Sequence, residues 1–222
     1  MDDCELNPRE AYRDNVAATN VLVEALQTIK PLFIYVSTDY VFDGAKKSAY
    51  DESDRPAPLN VYGRTKWLGE EIVRKSNLPW LIIRTSWLYG KNGANFVKAI
   101  LKLAGKRREL KVVTDQMGAP TYTKDLALGI QKLIEIARAK RIRNQIFNLT
   151  NSGKTSWNGF AKQILKESGK IRIVVKPVVS SQFPRPAARP ANSVLSNRKF
   201  IRTAGWTMRS WQEALKDYLK EL

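Results

Sequence analysis

The chain has 222 residues, of which 43% are hydrophobic and 27% charged, and this mix indicates a soluble globular protein of one large or two small domains. Its 38 Lys and Arg residues against 21 Asp and Glu residues give a formal net charge of +17, which attracts anionic partners such as phosphorylated ligands, nucleic acid or lipid head groups. The chain has no histidine and a single cysteine, Cys4, which excludes a Ser-His-Asp triad, a Cys-His dyad, a zinc cluster of His or Cys ligands and an internal disulfide.

The first predicted elements are a helix, a strand and a loop. Pro8–Ile29 carries apolar side chains at helical spacing, which predicts an amphipathic helix stopped by Pro31. Leu32–Ser37 is a continuous apolar, β-rich run, as expected for a strand buried on both faces of a parallel sheet. Turn residues are frequent in Thr38–Leu59, which is therefore predicted to be a long loop.

Helices and strands continue to alternate along the rest of the chain. Further helices are predicted at Asn60–Ser76, Asn95–Ala104, Thr123–Arg138, Thr155–Glu167 and Ser210–Leu219. Further strands are predicted at Trp80–Arg84, Leu110–Val113, Gln145–Thr150 and Arg172–Lys176, and Pro177–Pro190 is predicted to be irregular. This alternation predicts an α/β fold with a doubly wound parallel sheet.

The predicted location and the net charge exclude fewer functions than the lack of histidine does. No apolar run approaches the ~20 residues of a membrane helix, and nothing at the start of the sequence has the pattern of a signal peptide. Together with the single cysteine, this predicts a cytoplasmic protein without a membrane partner. The basic residues are spread out and are not interleaved with aromatics, so a solvated surface, a diphosphate site and, more remotely, a nucleic-acid surface all remain open.

Tyr62 and Lys66 are the first candidates for chemistry. They stand four residues apart on a predicted helix, so both project from one face, one turn apart. An ammonium ~6 Å from a phenol, at an effective dielectric of ~20, favours the phenolate by ~2.8 kcal/mol, which lowers the pKa of the phenol by about two units. Such a pair could move a proton at neutral pH without histidine.

Thr38 is the third candidate, because it follows the first predicted strand. Ligands of open α/β sheets bind at the carboxyl ends of the strands, so its hydroxyl is expected near Tyr62. A Tyr-x-x-x-Lys match also arises readily by chance in a basic chain, and an exposed pair on a solvated helix face is the alternative interpretation.

A family pattern runs along essentially the whole chain. The segments that carry it are Ser37–Gly44, Pro58–Lys66, Gly69-Glu70, Arg84–Tyr89, Asn95-Phe96, Asp115–Thr121 and Arg189–Ser193. In their order and spacing they resemble the dTDP-4-dehydrorhamnose reductases, a family of extended short-chain dehydrogenase/reductases.

This resemblance implies an NAD(P)H-dependent reduction of the C4 keto group of dTDP-4-dehydro-L-rhamnose to dTDP-L-rhamnose. It implies that Tyr62 donates the proton, that Lys66 lowers the pKa of Tyr62 and holds the nicotinamide ribose, and that Thr38 tunes the tyrosine. It also implies that Thr38 and Asp39 meet the sugar and that Trp87 lines its pocket. NADPH or NADH is the implied cofactor, bound in part by Tyr62 and Lys66. No metal or nucleic acid is expected, and a homodimer is allowed.

Asn95 and Arg189 are additional candidates for contacts with a diphosphate. Asn95 is expected at a helix start, where backbone N–H groups favour anions. Arg189 offers a guanidinium that can bind phosphate oxygens in pairs.

The resemblance also predicts the domain organisation. Residues 1–90 are expected to be the remaining part of an NAD(P)-binding Rossmann domain, and residues 91–222 a smaller substrate-binding region, with about 124–150 returning to the Rossmann sheet. Family members begin with a strand, a glycine-rich turn and a helix that cradle the cofactor pyrophosphate, whereas this chain begins at a segment that resembles the interior of their first domain. We therefore expect a truncated sheet with an exposed edge, a tendency to self-associate, and family activity that is nearly lost in this form.

A non-catalytic regulatory or binding subunit is the main alternative function. The reductase-like beta subunit of methionine adenosyltransferase is the example in this wider family. Arg84–Trp87 and Asp115–Thr121 match the reductases better. A basic nucleic-acid binder is a third interpretation, which a steep salt dependence of DNA affinity would favour.

Overall fold

The computed structural model describes residues 1–140 and 142–222; residue 141, within the basic run 138–143, lies outside the described residues. The α-helices of these residues are α1 (Asp2–Leu6), α2 (Pro8–Tyr12), α3 (Ala18–Ala25), α4 (Val61–Lys75), α5 (Phe96–Ala104), α6 (Thr123–Lys140), α7 (Trp157–Glu167), α8 (Arg198–Ala204) and α9 (Trp211–Lys220). A π-helical turn at Arg13–Ala17 joins α2 to α3, so most of the predicted helix Pro8–Ile29 is one continuous helical segment that ends at Ala25. None of the helices in the described residues is both long enough and apolar enough to cross a membrane.

The strands confirm the predicted α/β fold with parallel pairing. They are β1 (Phe33–Thr38), β2 (Trp80–Thr85), β3 (Leu88–Tyr89), β4 (Glu109–Val113), β5 (Met117–Gly118), β6 (Thr121–Tyr122), β7 (Gln145–Asn148), β8 (Thr155–Ser156) and β9 (Val174–Val178). The main sheet is parallel, with the order β1-β2-β7. Two-residue ladders join β3 to β6 in parallel and β5 to β8 antiparallel, and β4 pairs with β9 in parallel.

The register of the main sheet aligns the carboxyl ends of two strands. Phe33 lies opposite Trp80 at one end, and Thr38 lies opposite Thr85 at the other. Because parallel strands end at the same edge, the residues that follow β1 and β2 meet there. This edge is where the candidate site lies.

The two best-predicted strands differ in burial. All six residues of β2 are buried, which agrees with a continuous apolar run in the middle of a parallel sheet. Burial on both faces was also predicted for Leu32–Ser37, and this prediction is wrong for β1, where Val36 is 39% exposed. The physical reason is position: among the described residues β1 is an edge strand that pairs with β2 alone.

Helices cover both faces of the main sheet. On one face Tyr35 and Ile82 pack with Val23 of α3 and Val73 of α4. On the other face the core is formed by strand residues and by residues of α6 and α8, namely Leu81, Ile83, Phe147, Leu126, Leu133 and Phe200. A separate core joins α5, α7, α9 and β4 around Tyr89, Phe160 and Tyr218. On this grouping we propose the division predicted from the sequence, with residues 91–222 as a substrate-binding region from which α6 and β7 return to the main sheet.

Several short elements were not predicted from the sequence. Helix α8 and the strands β3, β5, β6 and β8 span two to seven residues, too few for a periodic pattern. The strand predicted at Arg172–Lys176 lies at Val174–Val178 and contains Pro177. A proline is tolerated there because β9 is an edge strand, paired only with β4 among the described residues.

Candidate active site

The carboxyl end of β1 presents Thr38 and Asp39. The Thr38 hydroxyl accepts a hydrogen bond from the backbone N–H of Tyr40 (3.2 Å), which opens a 3₁₀ turn, and donates one to Oδ1 of Asp39 (3.0 Å). The Asp39 carboxyl group is buried, and its Oδ2 has no hydrogen-bond partner among the described residues. Burial raises the pKa of Asp39 to about 7, although the nearby hydroxyl groups of Ser193 and Thr38 oppose the rise. A buried carboxyl oxygen that has no hydrogen-bond partner can accept a hydrogen bond from a hydroxyl group of a ligand.

Helix α4 brings its first turn directly against this strand end. Asn60 caps the helix by accepting the backbone N–H of Gly63 (2.8 Å), and Glu5 accepts the backbone N–H of Val61 (2.9 Å). A Cβ atom at Gly63 would lie 2.1 Å from the carbonyl oxygen of Tyr40, so only glycine permits this approach. The N-terminus of α4 is therefore fixed by two side-chain caps and one close backbone contact.

Tyr62 lies in that first turn, beside Thr38. Its ring packs edge-to-face against Tyr40, with centroids 6.1 Å apart. Burial raises the pKa of Tyr62, the hydrogen-bond contact with Thr38 opposes the rise, and the charge of Asp39 adds to it. The net shift is thus upward, whereas the sequence predicted a fall of about two units through Lys66, because desolvation of the phenolate dominates and Lys66 is not among the groups that shift this pKa.

Lys66 lies one turn further along α4 and is half-buried. Its Nζ sits over the ring of Tyr35, 4.1 Å from the centroid, and the Tyr35 hydroxyl donates to the backbone carbonyl of Lys66 (3.3 Å). Burial lowers the pKa of Lys66 to about 8, and the carboxylate of Glu70 opposes this fall. At pH 7 the ammonium is thus the main form, and it is lost as the pH rises through about 8.

A buried ion pair lies behind Lys66, one more turn along the helix. Glu70 accepts hydrogen bonds from Nε and Nη2 of Arg84 (2.9 and 2.6 Å) and from the hydroxyl of Ser37 (2.5 Å). Both charged side chains are almost fully inaccessible to solvent. This network ties α4 to β1 and β2 immediately below the candidate site. Sequence reasoning missed it, although Arg84 inside an apolar strand signals a buried partner.

Trp87 follows the carboxyl end of β2. Its backbone is in the left-handed region, with φ at +47°. Its indole lies against Gly118, where a Cβ atom would be 2.4 Å from the ring, and it stacks on Trp157 with centroids 3.5 Å apart. Trp157 was not predicted as a site residue, and no periodic signal in the sequence marks it.

A cavity of about 770 Å³ adjoins this edge of the protein. Tyr40, which touches Tyr62, forms part of its wall. Aromatic side chains (Phe96, Trp157, Phe183) and cationic ones (Arg107, Lys111, Arg185, Arg189) line the remainder together with aliphatic groups. Its volume is within the range of pockets that bind small organic ligands, about 300–1,000 Å³.

The structure treats the two diphosphate candidates differently. Asn95 caps α5, and its amide donates to the carbonyl oxygen of Gly90 and the hydroxyl of Tyr218 (2.9 and 3.1 Å). These bonds occupy the side chain, so they do not support a ligand contact. Arg189 differs in that it lines the cavity, but its guanidinium is occupied as well: Nη2 donates to both carboxylate oxygens of Asp2 (2.9 Å), and Nη1 donates to the carbonyl oxygen of Ala187 (2.7 Å). A phosphate would have to replace these contacts.

The residues predicted for catalysis and sugar binding lie at one edge of the main sheet. Thr38 and Asp39 follow β1, Tyr62 is in contact with Thr38, and Lys66 lies one turn away on α4. Trp87 follows the neighbouring strand, two residues after Thr85. Their individual roles remain predictions.

The same edge has groups that fit a nicotinamide cofactor. The hydroxyl of Thr85, opposite Thr38, is buried without a hydrogen-bond partner among the described residues. The Lys66 ammonium and the Tyr62 hydroxyl are the other polar groups here, and together they suit a ligand with amide and ribose hydroxyl groups. In residues 1–140 and 142–222 no cluster of three or more Cys, Asp or Glu side chains could hold a metal ion.

Known sequences match this chain over its full length. Residues 1–222 match the family model described as the RmlD substrate binding domain. The spore coat polysaccharide biosynthesis protein SpsK of Bacillus subtilis is 42% identical, and the match covers 100% of this chain and 75% of the relative. The dTDP-4-dehydrorhamnose reductase of Burkholderia thailandensis is 37% identical, with coverage of 100% and 78%.

Solved structures agree with the sequence matches. The dTDP-4-dehydrorhamnose reductase of Bacillus anthracis in complex with NADP superposes with a TM-score of 0.93 at 38% identity, covering 100% of this chain and 77% of that structure. The corresponding protein of Clostridium acetobutylicum gives a TM-score of 0.92 at 39% identity, with coverage of 100% and 76%.

Proposed function

This chain belongs to the family of the RmlD substrate binding domain, and on that premise we propose that it reduces the C4 keto group of dTDP-4-dehydro-L-rhamnose with NADPH or NADH to give dTDP-L-rhamnose. The observation that carries the proposal is the packing of the first turn of α4, which holds Tyr62, against Tyr40 just after Thr38 at the carboxyl edge of the sheet, with Lys66 one helical turn away. We also propose a cytoplasmic location, which the single cysteine supports because reducing compartments disfavour disulfides.

The proton is supplied by Tyr62. Burial raises the pKa of Tyr62, so the phenol is protonated at neutral pH and carries the proton that is to be transferred. Thr38 orients the hydroxyl toward the carbonyl oxygen of the sugar. Lys66, one helical turn along α4, carries the ammonium that would offset the negative charge left on Tyr62 after transfer. When bound, the nicotinamide cofactor supplies the hydride, and Lys66 and Tyr62 would hold its ribose.

The substrate would be held at two places. Asp39 can accept a sugar hydroxyl on its unpartnered oxygen, and Trp87, whose ring lies between Gly118 and Trp157, offers the edge of its indole to the sugar. The nucleoside diphosphate would occupy the cavity, where the cationic groups of Arg107 and Lys111 suit the phosphates and the ring of Phe96 suits the base. The net charge of +17 favours a substrate and a cofactor that both carry phosphates.

Incubation with NADPH and dTDP-4-dehydro-L-rhamnose tests this function. Because little of the family activity is expected in this form, we expect a slow loss of NADPH absorbance together with formation of dTDP-L-rhamnose, identified by mass spectrometry. Binding of the nucleotide-sugar without turnover, under conditions in which a known reductase is active, would instead favour the regulatory subunit. The matched catalytic variant is Tyr62→Phe.

We further propose that the chain forms a homodimer. Val21, Leu22 and Val36 are exposed apolar side chains that contact with a second copy could bury.

Val36→Lys is expected to shift the associated form toward monomer, because it places a charge among these exposed apolar side chains. Size-exclusion chromatography with light scattering measures the mass of each form. Leu128→Lys replaces an exposed leucine on α6 and should leave the mass unchanged. A monomer of the unsubstituted chain at every concentration tested would contradict the proposal.

A further inference from the structure

Trp87 and Trp157 form a stacked pair whose geometry is unusual. Their ring centroids are 3.5 Å apart and the rings are 6° from parallel. Aromatic pairs prefer offset or edge-to-face arrangements to a centred face-to-face stack. The surrounding structure, and not the preference of the two rings, therefore holds them in this position.

The backbone of Trp87 is unusual as well. Its φ of +47° lies in the left-handed region, which a bulky side chain seldom adopts. Such conformations persist where neighbouring structure imposes them, and they cluster at active sites and ligand clamps. Trp87, at the edge of the sheet, thus combines an unusual ring stack with an unusual backbone conformation.

The β5–β8 ladder supplies the constraint. Gly118 of β5 pairs with Thr155 of β8, and Ser156 then caps the helix that Trp157 begins. Trp87 is consequently confined between Gly118, which has no side chain to displace it, and the indole of Trp157. Removal of the Trp157 ring would leave one face of Trp87 without its packing partner.

The pair lies between the strand ends and the cavity. Trp87 follows Thr85, the register partner of Thr38, and so belongs to the edge that carries the proposed acid. Trp157 contacts Phe96, with centroids 4.6 Å apart, and both rings form part of the cavity wall. Trp157 therefore contacts Trp87, the residue proposed to line the sugar pocket, and it does so from the side on which the nucleotide cavity lies.

We propose that Trp157 is a positioning residue of this reductase, which fixes the indole of Trp87 in the orientation that the sugar requires. This inference rests on the proposed function for its kinetic consequence, whereas its structural consequence can be observed without turnover. Trp157 acts through Trp87, so its loss affects the alignment of the bound sugar more than the binding of the nucleotide.

Replacement of Trp157 separates these effects. In Trp157→Ala the ring of Trp87 loses its stacking partner, and kcat is expected to fall by about 10–100-fold, the range that follows a displacement of about 1 Å at a reacting centre. KM should change by less than about threefold, because uniform binding is little altered. Trp157→Phe keeps a flat ring against Trp87 and should restore most of kcat.

The second readout is 19F NMR of protein labelled with 5-fluorotryptophan, in which the six tryptophans give resolvable signals. The Trp87 signal is assigned from Trp87→Phe. We expect it to move and broaden in Trp157→Ala, because the ring current of the stacked indole is lost and the ring becomes mobile. In Trp157→Phe it should stay sharp. Trp206→Phe, which removes a partly exposed tryptophan outside the pair, should leave it unchanged.

An unchanged Trp87 signal in Trp157→Ala would overturn the proposal, and so would a kcat within twofold of the unsubstituted protein. A lower melting temperature with unchanged kcat would likewise assign Trp157 a merely structural role. If the unsubstituted protein shows no reduction but the Trp87 signal responds as expected, the proposed function fails while the positioning of Trp87 by Trp157 is supported.

Discussion

Tyr62→Phe is expected to lower kcat/KM for NADPH-dependent reduction by about 10²–10⁴-fold, the usual contribution of a positioned general acid. The substitution removes only the hydroxyl that contacts Thr38. The edge-to-face packing of the ring against Tyr40 is retained, so the fold and the cavity should be unaffected. Steady-state kinetics give the loss, and isothermal titration with dTDP should give an unchanged affinity.

Tyr12→Phe is the matched control for this substitution. Tyr12 lies on α2, is 36% exposed and is remote from the cavity lining, so removal of its hydroxyl should leave kcat/KM within about twofold. If Tyr62→Phe retained activity within threefold of the unsubstituted protein, the proton would have to come from another group. The proposed role of α4 in catalysis would then be wrong.

The location of the candidate site could be predicted from the sequence because it depends on local order. Thr38 ends an apolar run, and Tyr62 and Lys66 are separated by one helical turn, so parallel pairing and helix geometry suffice to bring them to one edge. The direction of the Tyr62 pKa shift could not be predicted. It depends on burial and on Asp39, and the ammonium of Lys66 lies over the ring of Tyr35, a contact between a helix and a strand that no spacing reveals.

The fold, like the site, could be predicted where the sequence signal is local. It could not be predicted where contacts between distant residues decide the structure. Strand β2 and helix α4 have clear apolar periodicity and capping residues, and their predicted bounds differ from the observed ones by one residue. The two-residue ladder of β5 and β8 has no periodic signal, yet it brings Trp157 against Trp87. The exposure of Val36 also depends on which strand lies beside β1, and an apolar run does not specify its neighbours.

The ion pair of Glu70 and Arg84 joins a helix to a strand, could not be predicted from the sequence, and has a large effect on the stability of the fold. The two residues are 14 positions apart, on α4 and β2, and both are almost fully buried. The Glu70 carboxylate accepts three hydrogen bonds, including one from Ser37, whereas Nη1 of Arg84 already has no partner among the described residues. The free-energy cost of burying the charged guanidinium of Arg84 is therefore offset by its ion pair with the Glu70 carboxylate.

Glu70→Gln is therefore expected to lower the free energy of unfolding by about 3–5 kcal/mol, because it leaves the charge of Arg84 buried without a counterion. Urea denaturation measures the loss from the midpoint at constant slope. The substitution also removes the carboxylate that favours the charged form of Lys66, so any remaining activity should decline at a lower pH than in the unsubstituted protein.

Glu71→Gln provides the control on the adjacent residue. Glu71 pairs with Arg74 at the surface of the same helix, and loss of such an exposed pair costs about 0–1 kcal/mol. The double substitution Glu70→Leu with Arg84→Met removes both charges and should be less destabilising than Glu70→Gln alone, because no unpaired charge remains in the core. Equal stability of Glu70→Gln and Glu71→Gln would mean that Arg84 finds compensation elsewhere, and the pair would then not be what fixes α4 to the sheet beneath Lys66.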